Sequence, residues 1–197
     1  SFDALASTDL PEPVAVVSGM RVVRGDGSYH HTRIPPTMPR GQHFQLETAP
    51  RGLSFFTKQT LVVEREVIRG VGGYDPYVSG REDTDLFLRL NPVCSILGIP
   101  VVTYTHRAHD GPKPYSVPDR RQDIFDRILE KHDALFRAHP QGFARFLFHH
   151  AVTMWNLGHR RTATQTAARA IRLAPMHTSS LLAVEVARTA ARRLRPS

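Results

Sequence analysis

The chain has 197 residues, of which 41% are hydrophobic and 22% charged, and a formal net charge of +8. This is room for one compact domain, or one with a helical appendage, and the composition is neither that of a disordered chain nor that of a membrane protein. No run approaches the ~18 consecutive apolar residues that span a bilayer, and the single cysteine, Cys94, excludes an internal disulfide or a cysteine-based zinc site. Residues 160–197 hold eight arginines against one acid, Glu185, so the excess charge gathers at the C-terminal end. No zinc finger, aromatic RNA-binding signature or contiguous basic run accompanies it. The arginines read as a solvated helical face, and nucleic acid is not an expected partner. The chain opens at Ser1 and not at Met, which fits a processed product or a fragment.

In chain order, the β-branched run Val14-Ala15-Val16-Val17 is followed by Gly19, expected to break it, and by Met20 to Val23. Gly25-Asp26-Gly27 then supplies a turn, so the spacing predicts a β-hairpin over residues 14–31. Prolines 35, 36, 39 and 50 with Gly41 make residues 34–50 a loop that wraps or covers something, with a mobile flap as its functional counterpart. Leu53 to Phe56 and Thr60 to Val63 are apolar enough for buried strands, and Glu64 to Ile68 can make a helical turn ending at Gly70. Gly72-Gly73-Tyr74-Asp75-Pro76 is a turn cluster. Glu82 to Leu90 reads as a helix with Leu86, Phe87 and Leu90 on one face, acids in the first turn and Asn91-Pro92 as its stop. Ile96 to Thr105 reads as strand, ending at His106-Arg107-Ala108-His109 and the loop from Gly111 to Pro114.

Helical periodicity takes over from Asp119, an N-cap by residue type, through Phe136. Further helices are predicted over 141–157, 161–173 and 179–193. Gly158, Ala163, Ala170, Leu173 and Pro175 stand at offsets resembling the second half of a tetratricopeptide unit, with Pro175 ending the pair. A generic helical hairpin explains them equally well.

The most informative stretch is Val71-Gly72-Gly73-Tyr74-Asp75 followed by Gly80-Arg81-Glu82-Asp83-Thr84-Asp85-Leu86-Phe87-Leu88-Arg89. It resembles the acceptor-side half of family 2 glycosyltransferases of the GT-A fold, which carry a Gly-Gly-Phe-Asp turn and then a Glu-Asp pair opening a helix. Thr60 to Val63 with Arg65, Ile99-Pro100, and Tyr104 leading to Arg107-Ala108-His109 also look like that family, so the resemblance covers roughly residues 10–115. It implies an α/β fold: a partial GT-A-like mixed sheet over residues 1–117 and a C-terminal helical extension over 118–197 with a TPR-like hairpin.

The implied activity is inverting transfer of a sugar from a nucleotide-diphospho-sugar donor to a hydroxyl of a saccharide, glycolipid or protein acceptor. A hydroxyl is a poor nucleophile and needs a base as the bond forms. The resemblance gives that role to Asp83, with Glu82 beside it. Gly72 and Gly73 would let backbone approach the acceptor, Tyr74 would stack on a sugar face, and Arg107 would face a phosphate. His109 would help hold Mn²⁺ or Mg²⁺, with His106 as its competitor. Plainer readings stand beside these: Asp83 and Asp85 as helix caps, the glycines as an ordinary turn, Tyr74 as core, and His109 as a surface or core residue. The family's nucleotide-binding half and its Asp-x-Asp metal motif are not in this sequence, and Asp83-Thr84-Asp85 lies inside the Glu-Asp helix. A fragment with little activity alone is therefore expected. A single cysteine and the site of nucleotide-sugar synthesis imply a cytoplasmic place, and the basic tail fits peripheral contact with the inner face of the membrane. The competing class is a non-catalytic helical interaction module on a degenerate transferase scaffold.

Overall fold

The computed structural model describes residues 7–42, 46, 49–55, 58–108 and 118–183. It is a mixed α/β structure whose chain divides into two compact units, residues 1–128 and 129–197.

In the first unit, β1 (Val14–Val23) is the centre of a four-stranded sheet. β2 (Tyr29–Arg33) pairs antiparallel with its C-terminal half, and the short β3 (Leu61–Val62) pairs antiparallel at Val16 and Val17. β4 (Ser95–Arg107) runs parallel along the other edge of β1. The hairpin turn closes as its residue types require. Gly27 takes φ +87°, and the Asp26 carboxylate accepts the Ser28 amide at 2.8 Å. Those Ser28 hydrogen bonds hold the Asp26 carboxyl below its usual range.

Gly19 does not break β1. The ladder to β4 shifts register between Ser18 and Met20, so Ala15 and Val17 before the irregularity and Met20 and Val22 after it line one core. A Cβ on Gly19 would stand 3.3 Å from the carbonyl oxygens of both Arg33 and Val101, a close backbone approach that glycine takes without displacing either strand. Phe87, Leu90, Cys94, Ile96 and Met38 complete this core. Burial pushes the Cys94 thiol up to about 11, which makes it an inert packing residue.

Residues 34–42 are a strap fixed to the sheet, and the expected flap is corrected for them. Met38 and Ile96 exchange both backbone hydrogen bonds at 2.8 Å, the Ser95 hydroxyl accepts the Arg40 amide, and the buried Asn91 side chain donates to Pro39 O at 3.1 Å. Asn91 thus both ends the preceding helix and holds the strap. Leu53 to Phe55 form no strand; their tie is the Ser54 amide to Ile34 O. Phe56 lies outside the described residues. Of Thr60 to Val63 only two residues pair, because β1 offers β3 a partner only beside Val16 and Val17.

Three helices belong mainly to this unit: α1 (Arg65–Gly70), α2 (Glu82–Leu90) and α3 (Pro118–Lys131). The last begins at Pro118, so Asp119 falls inside its first turn and is not the N-cap; its side chain lies outside the described residues.

In the second unit, α4 (Asp133–Ala138), α5 (Pro140–Asn156) and α6 (Arg160–Leu173) precede helical residues 175–183. Phe136 stacks on Phe143 with ring centroids 4.7 Å apart. Ala144, Leu147, Ala151 and Met154 of α5 are buried, as are the small Ala163 and Ala170 of α6, which let helices approach closely. Pro175 opens the final helical stretch and does not close the pair, since a first-turn proline loses no hydrogen bond. Residues 184–193 of the expected last helix lie outside the described residues. No helix among the described residues is long and apolar enough to cross a membrane.

Candidate functional site

α1 ends in a paired closure: Gly72 donates to Arg69 O and Gly73 to Ile68 O, both at 2.9 Å. This is a Schellman motif, which needs a left-handed residue at its turn. Gly72 has φ +81° and Gly73 φ +64°, and a Cβ on Gly73 would meet nothing within 4 Å. Conformation, and not crowding, fixes these two glycines. The turn carries Tyr74 outward at 44% exposure, and Asp75 caps the 3-10 turn Pro76–Val78 by accepting the Tyr77 amide at 2.8 Å.

α2 then presents its acids. Glu82 accepts the Gly80 amide, which ties the approach loop to the helix start. Asp83 is partly buried, and its charge with that of Glu82 reaches Tyr74: the phenol is held above its usual 10.0 by burial first and then by the two carboxylates. Asp85, two residues on, points into the protein and is fully buried. It pairs with Arg89 at 2.5 Å, and the same guanidinium donates to Gly73 O at 2.8 Å and to Val71 O. One arginine therefore clamps α2 to the glycine turn that precedes Tyr74. Arg89 was legible only as the i+4 partner of Asp85.

Two further arginines belong to this surface and carry no spacing signal. Arg81 lies 5.5 Å from the Phe125 ring centroid, with its guanidinium pushed down to about 10 by burial and by Arg121. Arg127 lies over the Tyr77 ring at 4.7 Å and 3.9 Å from Asp75. Tyr77 itself is 71% exposed, a second aromatic ring beside Tyr74 on the same turn.

The structure thus brings Gly72, Gly73, Tyr74, Glu82 and Asp83 together. Arg107 ends β4, where its guanidinium lies 3.5 Å from the place a Cβ on Gly27 would take. His109 lies outside the described residues. Among the described residues no three His, Cys, Asp or Glu side chains converge as a metal site would require, so no described residue is assigned to Mn²⁺ or Mg²⁺.

Chemically, this region offers a carboxylate able to take a proton and two exposed rings, one of them, Tyr77, with Arg127 on a face. No family model matches this chain, and no curated protein or solved structure matches it significantly.

Proposed function

We propose that the first unit is the acceptor-side part of an inverting nucleotide-sugar glycosyltransferase, in which Asp83 removes the proton of the acceptor hydroxyl. The observation that supports this most is the division of labour on α2: Asp85 is fully buried against Arg89, while Asp83 stays only partly buried and close enough to Tyr74 for its charge to raise the phenol. Tyr74 and Tyr77 provide apolar faces on which a sugar ring can rest, and Glu82 fixes the approach loop. The donor's diphosphate and its cation would be bound by a nucleotide-binding half that this sequence does not include.

The test is nucleoside diphosphate release by the intact polypeptide with a panel of nucleotide sugars and acceptor glycans. Asp83→Asn keeps size and helix position while removing the base, so turnover is expected to fall about 10²- to 10⁴-fold with circular dichroism unchanged. An unchanged rate would remove Asp83 as the base, and no release by the native polypeptide with any donor would sink the reading and leave the helical unit, as a non-catalytic interaction module on a degenerate scaffold, in its place.

A further inference from the structure

Between Asp133 and Glu185 the sequence holds six arginines and no acid. Within that span the corner joining α5 to α6 is exposed from Trp155 through Gly158 and again at Arg160 and Arg161. Trp155 is 49% exposed and is followed by the exposed Leu157. The corner is stiff. Gly158, at φ +86°, donates to Trp155 O at 3.0 Å, and His159 donates to Met154 O at 2.9 Å, the same paired closure that ends α1. The Arg160 guanidinium sits 3.8 Å from the Trp155 ring centroid, so ring and cation are presented as one unit.

We propose that this corner seats the protein on an anionic phospholipid surface. Indole is apolar in its body and polar at its N–H, which suits the headgroup level of a bilayer. Arg160, seated on the ring, and the exposed Arg161 next to it in the chain can meet lipid phosphates, and no nearby acid in the sequence opposes them. A nucleic acid fits less well, since Arg160 already covers one face of the ring on which a base would stack and Leu157 has nothing to offer a phosphate backbone. The inference does not depend on glycosyl transfer and would stand if that reading failed.

Trp155 is the only tryptophan of the chain, so intrinsic emission reports this corner alone. The full chain would be titrated with vesicles of phosphatidylcholine, and of phosphatidylcholine with about 30 mol % phosphatidylserine. The expected result is a shift of emission to shorter wavelength with the anionic vesicles only, reversed by high salt. The double variant Arg160→Glu, Arg161→Glu is expected to bind them about tenfold more weakly or worse. Trp155→Ala, followed by sedimentation with the same vesicles, gives an independent loss, and both variants change exposed side chains. The proposal is overturned by equal binding to both vesicle types, by unchanged binding of the double variant, or by sedimentation with unshifted emission. An emission shift with single-stranded RNA and none with vesicles would overturn it equally.

Discussion

Asp83 and Asp85 stand two positions apart on one helix, a step that turns the side chain by about 200° and leaves one residue partly and the other fully buried. The buried one is neutralised by Arg89, whose side chain is 19% exposed. Asp85→Asn would leave that guanidinium without its countercharge, so a loss of about 3 kcal/mol in urea unfolding is expected. A change below about 0.5 kcal/mol would mean that the clamp contributes nothing. Tyr74 tests the neighbouring contact without any substrate. Its raised value favours the protonated phenol in the folded state. The contribution is therefore fully present below 10.0 and is lost as pH rises from there through the folded value, because the unfolded chain gives up its proton first. In an ultraviolet titration, the difference between the native chain and Tyr74→Phe isolates one of five tyrosines, which should ionise above 10.0. Asp83→Asn should move it back down. A Tyr74 insensitive to Asp83 would separate the two residues and weaken the proposed site.

At the scale of elements, the strap depends on one glycine. A Cβ on Gly98 would lie 2.5 Å from Pro35 O and 2.6 Å from Pro36 O, and neither oxygen belongs to a side chain that can rotate away. Gly98→Ala should therefore cost about 1–3 kcal/mol and lower the melting temperature. Gly70→Ala, in a helix and with nothing within 4 Å, should be neutral or stabilising. Equal effects at the two positions would show that the strap yields freely. These contrasts also mark what could be read from the chain beforehand. The hairpin turn, the extent of α2 and the stop at Asn91 were legible because each depends on residues within a few positions of one another. The pinning of Met38 to Ile96, the close approach at Gly19 and the absence of a ladder at Leu53 to Phe55 depend on strands distant in sequence, and local pattern carries no trace of them. The candidate site divides in the same way. Tyr74, Glu82 and Asp83 share one short span and could be grouped, whereas Arg107 could be assigned a place only once the course of β4 was known. Arg81 and Arg127 act through Phe125 and Tyr77, contacts that no spacing announces.

At the scale of the whole molecule, β4 is unevenly protected. Its start is covered by the strap at Ile96 and Gly98, but from Pro100 to Val102 side chains on both faces are exposed, with Val101 at 59%. Among the described residues no strand pairs with its outer edge beyond Gly98. An edge that is apolar and exposed on both faces is a template for another strand, and here Pro100 is the nearest residue that blocks pairing. The isolated chain should therefore self-associate as its concentration rises. Val101→Lys places a charge on the edge and should weaken that association about tenfold in sedimentation velocity without altering the melting temperature. Under the proposed function, the same edge and its bare faces are where a nucleotide-binding half would be seated. Adding that half in trans should then suppress self-association of the native chain and protect the β4 amides from hydrogen exchange. A native chain that stayed monomeric at every concentration, or a Val101→Lys chain that associated as strongly as the native one, would show that this edge is closed by other means and would remove β4 as the seat of a missing half.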